Sequence, residues 1–216
     1  MFITFEGIDF SGKTTQITAF TKQLRACGGE VVLVREPGGT TISEEIRSLL
    51  LDPAYDSMDA VTEFLLFSSS RSQLVRETIL PTLQDGKHVI ADRFFDSSTA
   101  YQGYGRGLNI DDILHVHHLA THGLSPDITF FIDITLEESY RRRAQLGREI
   151  DRMERADDAF FERVRTGYLH LLETNPQRFV RIDGMNDEQR ISDLIWTEVS
   201  SRLVEGEDSK EGPHEK

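Results

Sequence analysis

Apolar residues in this chain follow two spacings: short uninterrupted runs, and longer stretches in which they recur every three or four positions. The runs are "MFITFEG", "EVVLVRE" (30–36), "GKHVIADR" (86–93), "DITFFIDI" (127–134) and "RFVRID" (178–183). Their length and their β-branched and aromatic content predict five strands buried on both faces. The periodic stretches predict helices, first "KTTQITAFTKQLRACGG" through Ile17, Phe20 and Leu24, then "TISEEIRSLLL" through Ile42, Ile46 and Leu49 or Leu50. Residues 58–80 read as one long helical stretch, with a kink expected around "SSS" and an end or bend at Pro81. Further helices are expected near 97–104, 109–121, 136–146, 157–174 and 187–204. Strands alternating with helices predict an α/β fold, a five-stranded parallel sheet with helices on both faces. Ligands of such sheets sit at the carboxyl ends of the strands. Gly7, Arg35–Glu36 and Asp92–Arg93 all fall there.

Composition narrows the class without changing this picture. The chain has 216 residues, 38% hydrophobic and 28% charged, and no apolar run approaches the ~20 residues that cross a bilayer. One domain over 1–205 is expected, followed by a disordered polar tail "GEDSKEGPHEK" over 206–216. The start of the chain shows no basic segment or cleavage site of a secretory signal, and a single cysteine, Cys27, fits a reducing compartment, so a cytoplasmic location is expected. A net charge of −13 opposes binding to nucleic acid, yet cations are concentrated locally in "RRRAQLGREIDRMER" (141–155). Most of those arginines are expected on a solvated helix face beside Glu149, Asp151 and Glu154.

"GIDFSGKT" satisfies G-x-x-x-x-G-K-[ST] between a predicted strand and a predicted helix. Its glycines let backbone N–H groups wrap a phosphate chain, Lys13 reaches the terminal phosphates, and Thr14 is a ligand for Mg²⁺. The stretch Gly7, Ile8, Asp9, Phe10, Ser11, Gly12, Lys13, Thr14 and Thr15 is therefore the expected ATP-binding loop of a P-loop NTPase-type fold. Asp92, ending the third strand, suits the acid that approaches the metal directly or through water. The sequence has no N-K-x-D motif of a guanine-selective switch. It does place Arg35, Arg47, Arg71 and Arg93 at strand ends and on helices, with an arginine-rich lid over about 141–155, as a kinase acting on a small anionic acceptor requires.

Taken in order, "FEGIDFSGKTTQ", "REPGGT", "EEIRSLLL", "LLFSSSRSQL", "ADRFFDSSTAYQGYGRG", "PDITFFIDI" and "GREIDRMER" resemble the thymidylate kinases of bacterial type, over about Phe2 to Leu203. The resemblance implies Mg²⁺-dependent phosphorylation of dTMP to dTDP by ATP, and a homodimer. It places Phe67 against the thymine face, Arg71 at a thymine carbonyl, Ser98 and Gln102 around the base, and Tyr101 against the deoxyribose. It makes Arg35, Arg47 and Arg93 the clamp on the acceptor phosphate, Glu36 the carboxylate organising that clamp and the metal waters, and Asp9 the loop acid near the acceptor. Catalytic roles then fall on Lys13, Asp9, Arg93 and the lid arginines Arg152 and Arg148. Many bacterial relatives carry Gly where this chain has Phe10, and the eukaryotic type carries Arg. Phe10 brings no charge, so the lid is expected to bring it, with Arg152 the first candidate; an arginine of 141–143 is expected against adenine. The alternatives are another nucleoside monophosphate kinase, or an ATP-binding regulatory protein without transfer activity.

Overall fold

The computed structural model describes residues 1–147 and 151–208. The strands are β1 (Phe2–Glu6), β2 (Val31–Arg35), β3 (His88–Asp92), β4 (Ile128–Asp133) and β5 (Phe179–Asp183). They form one sheet in the order β2-β3-β1-β4-β5, every neighbouring pair parallel. The nine α-helices of the described residues are α1 (Lys13–Ala26), α2 (Thr41–Leu51), α3 (Ala60–Leu74), α4 (Leu80–Gln84), α5 (Phe95–Ser98), α6 (Ile110–Thr121), α7 (Leu136–Leu146), α8 (Asp158–Thr174) and α9 (Glu188–Asp208).

Side-chain alternation along the strands divides the core. Ile3, Phe5, Ile90, Phe130 and Ile182 face α1 and α9, meeting Phe20, Leu24, Ile195 and Val199. On the opposite face Phe2, Val89 and Ala91 meet Leu74, Val75 and Ile79, while Phe131 and Phe179 meet Val164 and Tyr168 of α8. Each such side chain, fully buried, contributes roughly 1.5–3 kcal/mol of hydrophobic stabilisation before chain entropy is set against it. Glu6 and Thr4 share the second face with Phe2, so the alternation that builds the core also carries a carboxylate into it.

The predicted helix over 58–80 departs from expectation in a specific way. Helix α3 runs unbroken through the serines to Leu74, a π-helical turn spans Val75–Ile79, and α4 continues to Gln84 past Pro81. The widened turn lies just ahead of Pro81, where the hydrogen-bond ladder is already shifted and the missing N–H is tolerated. A second π-helical run, Thr99–Gly105, extends α5 and lies against α8. Gly105 permits that contact, because a Cβ there would lie 2.6 Å from the Phe160 ring. Helix α9 reaches Asp208, three residues into the stretch read as tail, and 209–216 lie outside the described residues. Cys27 is an exposed thiol at the end of α1.

Candidate active site

The order β3-β1-β4 puts the β1–α1 loop at the centre of the sheet, where the connections diverge to either side. Gly7 has φ +140°, and a Cβ on it would lie 2.5 Å from the Ile132 carbonyl oxygen, so the loop can leave β1 only through glycine. Gly12 gives α1 no side-chain cap, leaving its first N–H groups for a phosphate. The Lys13 ammonium is buried and donates to the carbonyls of Gly7 and Ile8, each at 3.0 Å. Burial pushes it down to about 8, Arg93 adds to that, and Asp92, Asp9 and Glu6 oppose it. A phosphate chain in the loop would restore its charge. Phe10 takes a left-handed conformation, φ +63°, at a cost of ~1–2 kcal/mol for a residue with a Cβ.

Three arginines converge across the loop. Arg93 follows β3 at φ +70° and donates to the Gly7 carbonyl at 2.8 Å and to Asp9 Oδ1 at 2.8 Å. Burial opposes its charge, but Tyr101, Asp9, Tyr168 and Glu6 outweigh burial and hold the guanidinium well above its ordinary value. Arg47 of α2 donates to the Pro37 carbonyl at 2.8 Å, and Arg35, at the end of β2, pairs with Glu44 at 2.7 Å. Together with Lys13, Thr14, Thr15 and Asp92 they line a cleft of about 730 Å³.

A narrower pocket of about 110 Å³ opens beside it, walled by Leu51, Phe67, Phe94, Tyr101 and Met153 with Arg71, Ser98 and Gln102 among its polar atoms. Arg71 is 1% exposed. Its Nε and Nη2 reach Glu36 Oε2 at 2.7 Å, and Nη2 also donates to Ser98 Oγ at 3.0 Å. Its Nη1 has no partner, and neither has Glu36 Oε1. Burial pushes Glu36 up to about 7 against the attraction of Arg71. Gln102 donates to Glu63 Oε1 at 3.0 Å, and the Tyr101 hydroxyl lies 3.4 Å from Asp9 Oδ2.

The arginines of the expected lid have different surroundings. Arg152 is buried, paired with Glu63 Oε2 at 2.7 Å and donating to the Leu50 carbonyl at 2.7 Å. It does not line the phosphate cleft, and its charge is committed to fastening the 151–155 segment onto α2 and α3. Arg148 lies outside the described residues. Of the 141–143 run, Arg141 pairs with Glu138 and Arg143 lies 4.7 Å over the Tyr140 ring. Arg142 pairs with Glu138 at 2.6 Å and also reaches the phosphate loop, donating to the Ser11 carbonyl at 3.2 Å and the Gly184 carbonyl at 2.7 Å. It borders a shallow groove with Gly12, Gln16, Gly184 and Asn186.

Sequence reasoning missed four contributors: Glu6, Ser97, Tyr168 and Glu63. Glu63 accepts from Gln102, Arg106 and Arg152, and a lone glutamate in the first turn of a helix gives no sign of three partners. Glu6 was legible as a charge inside an apolar strand, at a position the alternation turns inward.

For a metal, the donor set is the test. Thr14 Oγ1 donates to Asp92 Oδ2 at 3.1 Å, which places a hydroxyl and a carboxylate side by side at the edge of the cleft. Hard oxygen donors in that number suit Mg²⁺, which keeps several waters and takes its remaining ligands from substrate phosphates. Among the described residues no group of three or more His, Cys, Asp or Glu is arranged to hold an ion. Glu36, buried on Arg71, fits only a water-mediated role.

A phosphate loop on the central strand of a parallel sheet, facing a cluster of arginines and a separate apolar pocket, defines a P-loop phosphotransferase with a small phosphorylated acceptor. The profile of the thymidylate kinase family matches residues 5–195, and the chain belongs to that family. It is 45% identical over 212 residues to the thymidylate kinase of Chlorobaculum parvum, covering 94% of this chain and 97% of that protein. It is 47% identical over 202 residues to that of Caldanaerobacter subterraneus subsp. tengcongensis, with 94% and 96% covered. The crystal structure of thymidylate kinase from Ehrlichia chaffeensis superimposes with a TM-score of 0.77 at 36% identity, covering 93% of this chain and 98% of that one. Among the described residues no helix is long and apolar enough to cross a membrane.

Proposed function

We propose that this chain carries out ATP-dependent phosphorylation of dTMP to dTDP, with the large cleft holding the phosphates and the narrow pocket holding thymine. The observation that supports the acceptor most directly is the partnerless Nη1 of fully buried Arg71 beside Phe67. A buried donor left unsatisfied costs ~1–3 kcal/mol, and an exocyclic carbonyl of a flat base removes that cost while Phe67 covers its face. Ser98 and Gln102 complete the base pocket, and Tyr101 closes the side where a ribose 2′-hydroxyl would fall. Arg35, Arg47 and Arg93 hold the acceptor phosphate, with Asp9 fixing Arg93 from the loop side. ATP lies along Gly7–Thr15 with Lys13 at its terminal phosphates and the Arg142 guanidinium against adenine. Mg²⁺, held by Thr14 and Asp92, with Glu36 acting through water, would neutralise charge on the phosphates. The attacking oxygen belongs to a phosphate already ionised at neutral pH, so no side chain has to remove a proton. Positioning and charge neutralisation carry the rate. With Arg152 committed elsewhere, the lid charge at the transferring group is assigned to Arg148.

An assay of ADP release against a panel of nucleoside monophosphates is expected to show dTMP preferred, and preference for AMP, CMP or GMP would refute the assignment. Arg71→Ala should raise KM for dTMP ~10-fold or more with ATP little affected, as for loss of a charged hydrogen bond. A homodimer is supported by exposed apolar residues on adjoining helices: Ile42 and Leu49 on α2, Val61 and Leu65 on α3, and Leu114 on α6. Sedimentation equilibrium should return twice the chain mass of 24.6 kDa. A monomer mass at micromolar concentration would exclude this.

A further inference from the structure

Glu6 is the last residue of β1 and fully buried, and its hydrogen bonds among the described residues come from neutral groups. Its Oε1 accepts from the Phe94 N–H at 2.8 Å, while Oε2 accepts from the Ser97 hydroxyl at 2.5 Å and from the Tyr168 hydroxyl at 2.9 Å. Both hydroxyl oxygens in turn face Arg93, whose Nη1 donates to Ser97 Oγ at 3.1 Å and to Tyr168 Oη at 3.4 Å. Arg93 has donors only, so these oxygens must accept from it. Each hydroxyl carries one proton, and the two oxygens also lie 2.9 Å apart, so the pair delivers at least one proton to Glu6 while the other goes to Glu6 or to the neighbouring hydroxyl. The Phe94 N–H held by Oε1 belongs to the residue directly after Arg93, whose φ of +70° is an unfavourable conformation for a side-chain-bearing residue.

We propose that Glu6 is a positioning residue for phosphoryl transfer: by accepting from the Ser97–Tyr168 hydroxyl pair and from the Phe94 N–H, it fixes the Arg93 guanidinium at the acceptor phosphate. Orientation of two hydroxyls by one carboxylate is what allows an all-donor guanidinium to rest against them. The backbone bond to Phe94 holds the left-handed turn from which that side chain departs. The same arginine is held from the other side by the Gly7 carbonyl and Asp9, so Glu6 supplies the support that comes from beneath the sheet edge. Asp96 is not a substitute acceptor, since both its oxygens are taken by Arg178 at 2.7 and 2.8 Å. Tyr168 is held in register independently of Glu6 by its ring, stacked on Phe131 with centroids 4.9 Å apart.

Glu6→Gln keeps the shape and breaks the pattern. If the amide NH₂ faces the Phe94 N–H, a donor meets a donor; if it faces the hydroxyl pair, those oxygens have to accept from it and a hydroxyl proton loses the carboxylate that received it. Calorimetric dTMP affinity is expected to fall ~10-fold or more, with ATP affinity little changed. Tyr168→Phe removes one hydroxyl, leaves the ring packing intact, and should weaken dTMP in the same direction if the glutamine variant does not fold. In an Arg93→Ala background the Glu6→Gln change should have no further effect on dTMP affinity, because a residue acting through another is non-additive with it.

The inference rests on the phosphate-binding role given to Arg93, and the variants separate the two. Arg93→Ala with undiminished dTMP affinity would sink that role and the inference with it. Weak binding by Arg93→Ala beside unchanged binding by Glu6→Gln and Tyr168→Phe would overturn the inference alone. Equal, additive losses in both backgrounds would reduce Glu6 to a packing role and also overturn it.

Discussion

Arg93→Ala is expected to lower kcat/KM for dTMP by about 10³-fold or more, the range for removing a preorganised cation from a phosphoryl-transfer site. The magnitude follows from how completely the side chain is preorganised. Its guanidinium is fixed by the Gly7 carbonyl, Asp9, Ser97 and Tyr168, and lies 5.2 Å over the Tyr101 ring. A group held this way reorganises little as charge shifts between donor and acceptor, and a freed water cannot replace it. Because Arg93 borders both the phosphate cleft and the base pocket, its loss should reduce turnover as well as dTMP affinity. Steady-state kinetics at saturating ATP check this; a change in KM alone would mean that Arg93 only binds.

Glu63→Ala should destabilise the fold by about 3–5 kcal/mol, the usual cost of removing one partner from a buried ion pair. Arg152 would be left buried with its charge unpaired, and Arg106, at 3.1 Å from Glu63, would lose both its bonds there. Burial alone would raise the Glu63 pKa, but hydrogen bonds from Arg106, Gln102 and Arg152 outweigh it and hold the group below its ordinary value of 4.5. The sign follows: a depressed folded value gives stability that is fully present above 4.5 and lost as pH falls through the folded value. Denaturant unfolding between pH 7 and 3 should therefore show an acid-side loss in the parent that is weakened in Glu63→Ala. Arg152→Ala should share the loss of stability, and Arg148→Ala should lower turnover. A fall in Arg152→Ala turnover of ~10²-fold at unchanged stability would restore Arg152 as the transfer cation.

How much could be read beforehand depended on the range of the interaction. The five strands, the phosphate loop and the convergence of Gly7, Arg35–Glu36 and Asp92–Arg93 follow from local spacing plus one rule about parallel sheets. The π-helical turns were not legible, because they answer to what packs against them: Thr99–Gly105 lies on α8, and the turn before Pro81 absorbs a missing N–H. The direction of the Arg152 side chain in "DRME" depends on Glu63, 89 positions earlier in the chain, and nothing in the local pattern points there.

By itself, then, the sequence determined the strand and helix order, the phosphate grip at "GIDFSGKTT" and the family to which the set of motifs belongs, since each is encoded within a few residues. Only the tertiary structure decided which partners each charge meets. Arg142 reaches the phosphate loop, Arg152 is spent on Glu63, and Glu6 holds Arg93 through two hydroxyls. The reason is physical: a buried charge takes its role from the nearest partner that compensates its desolvation, and folding brings that partner from a distant part of the chain.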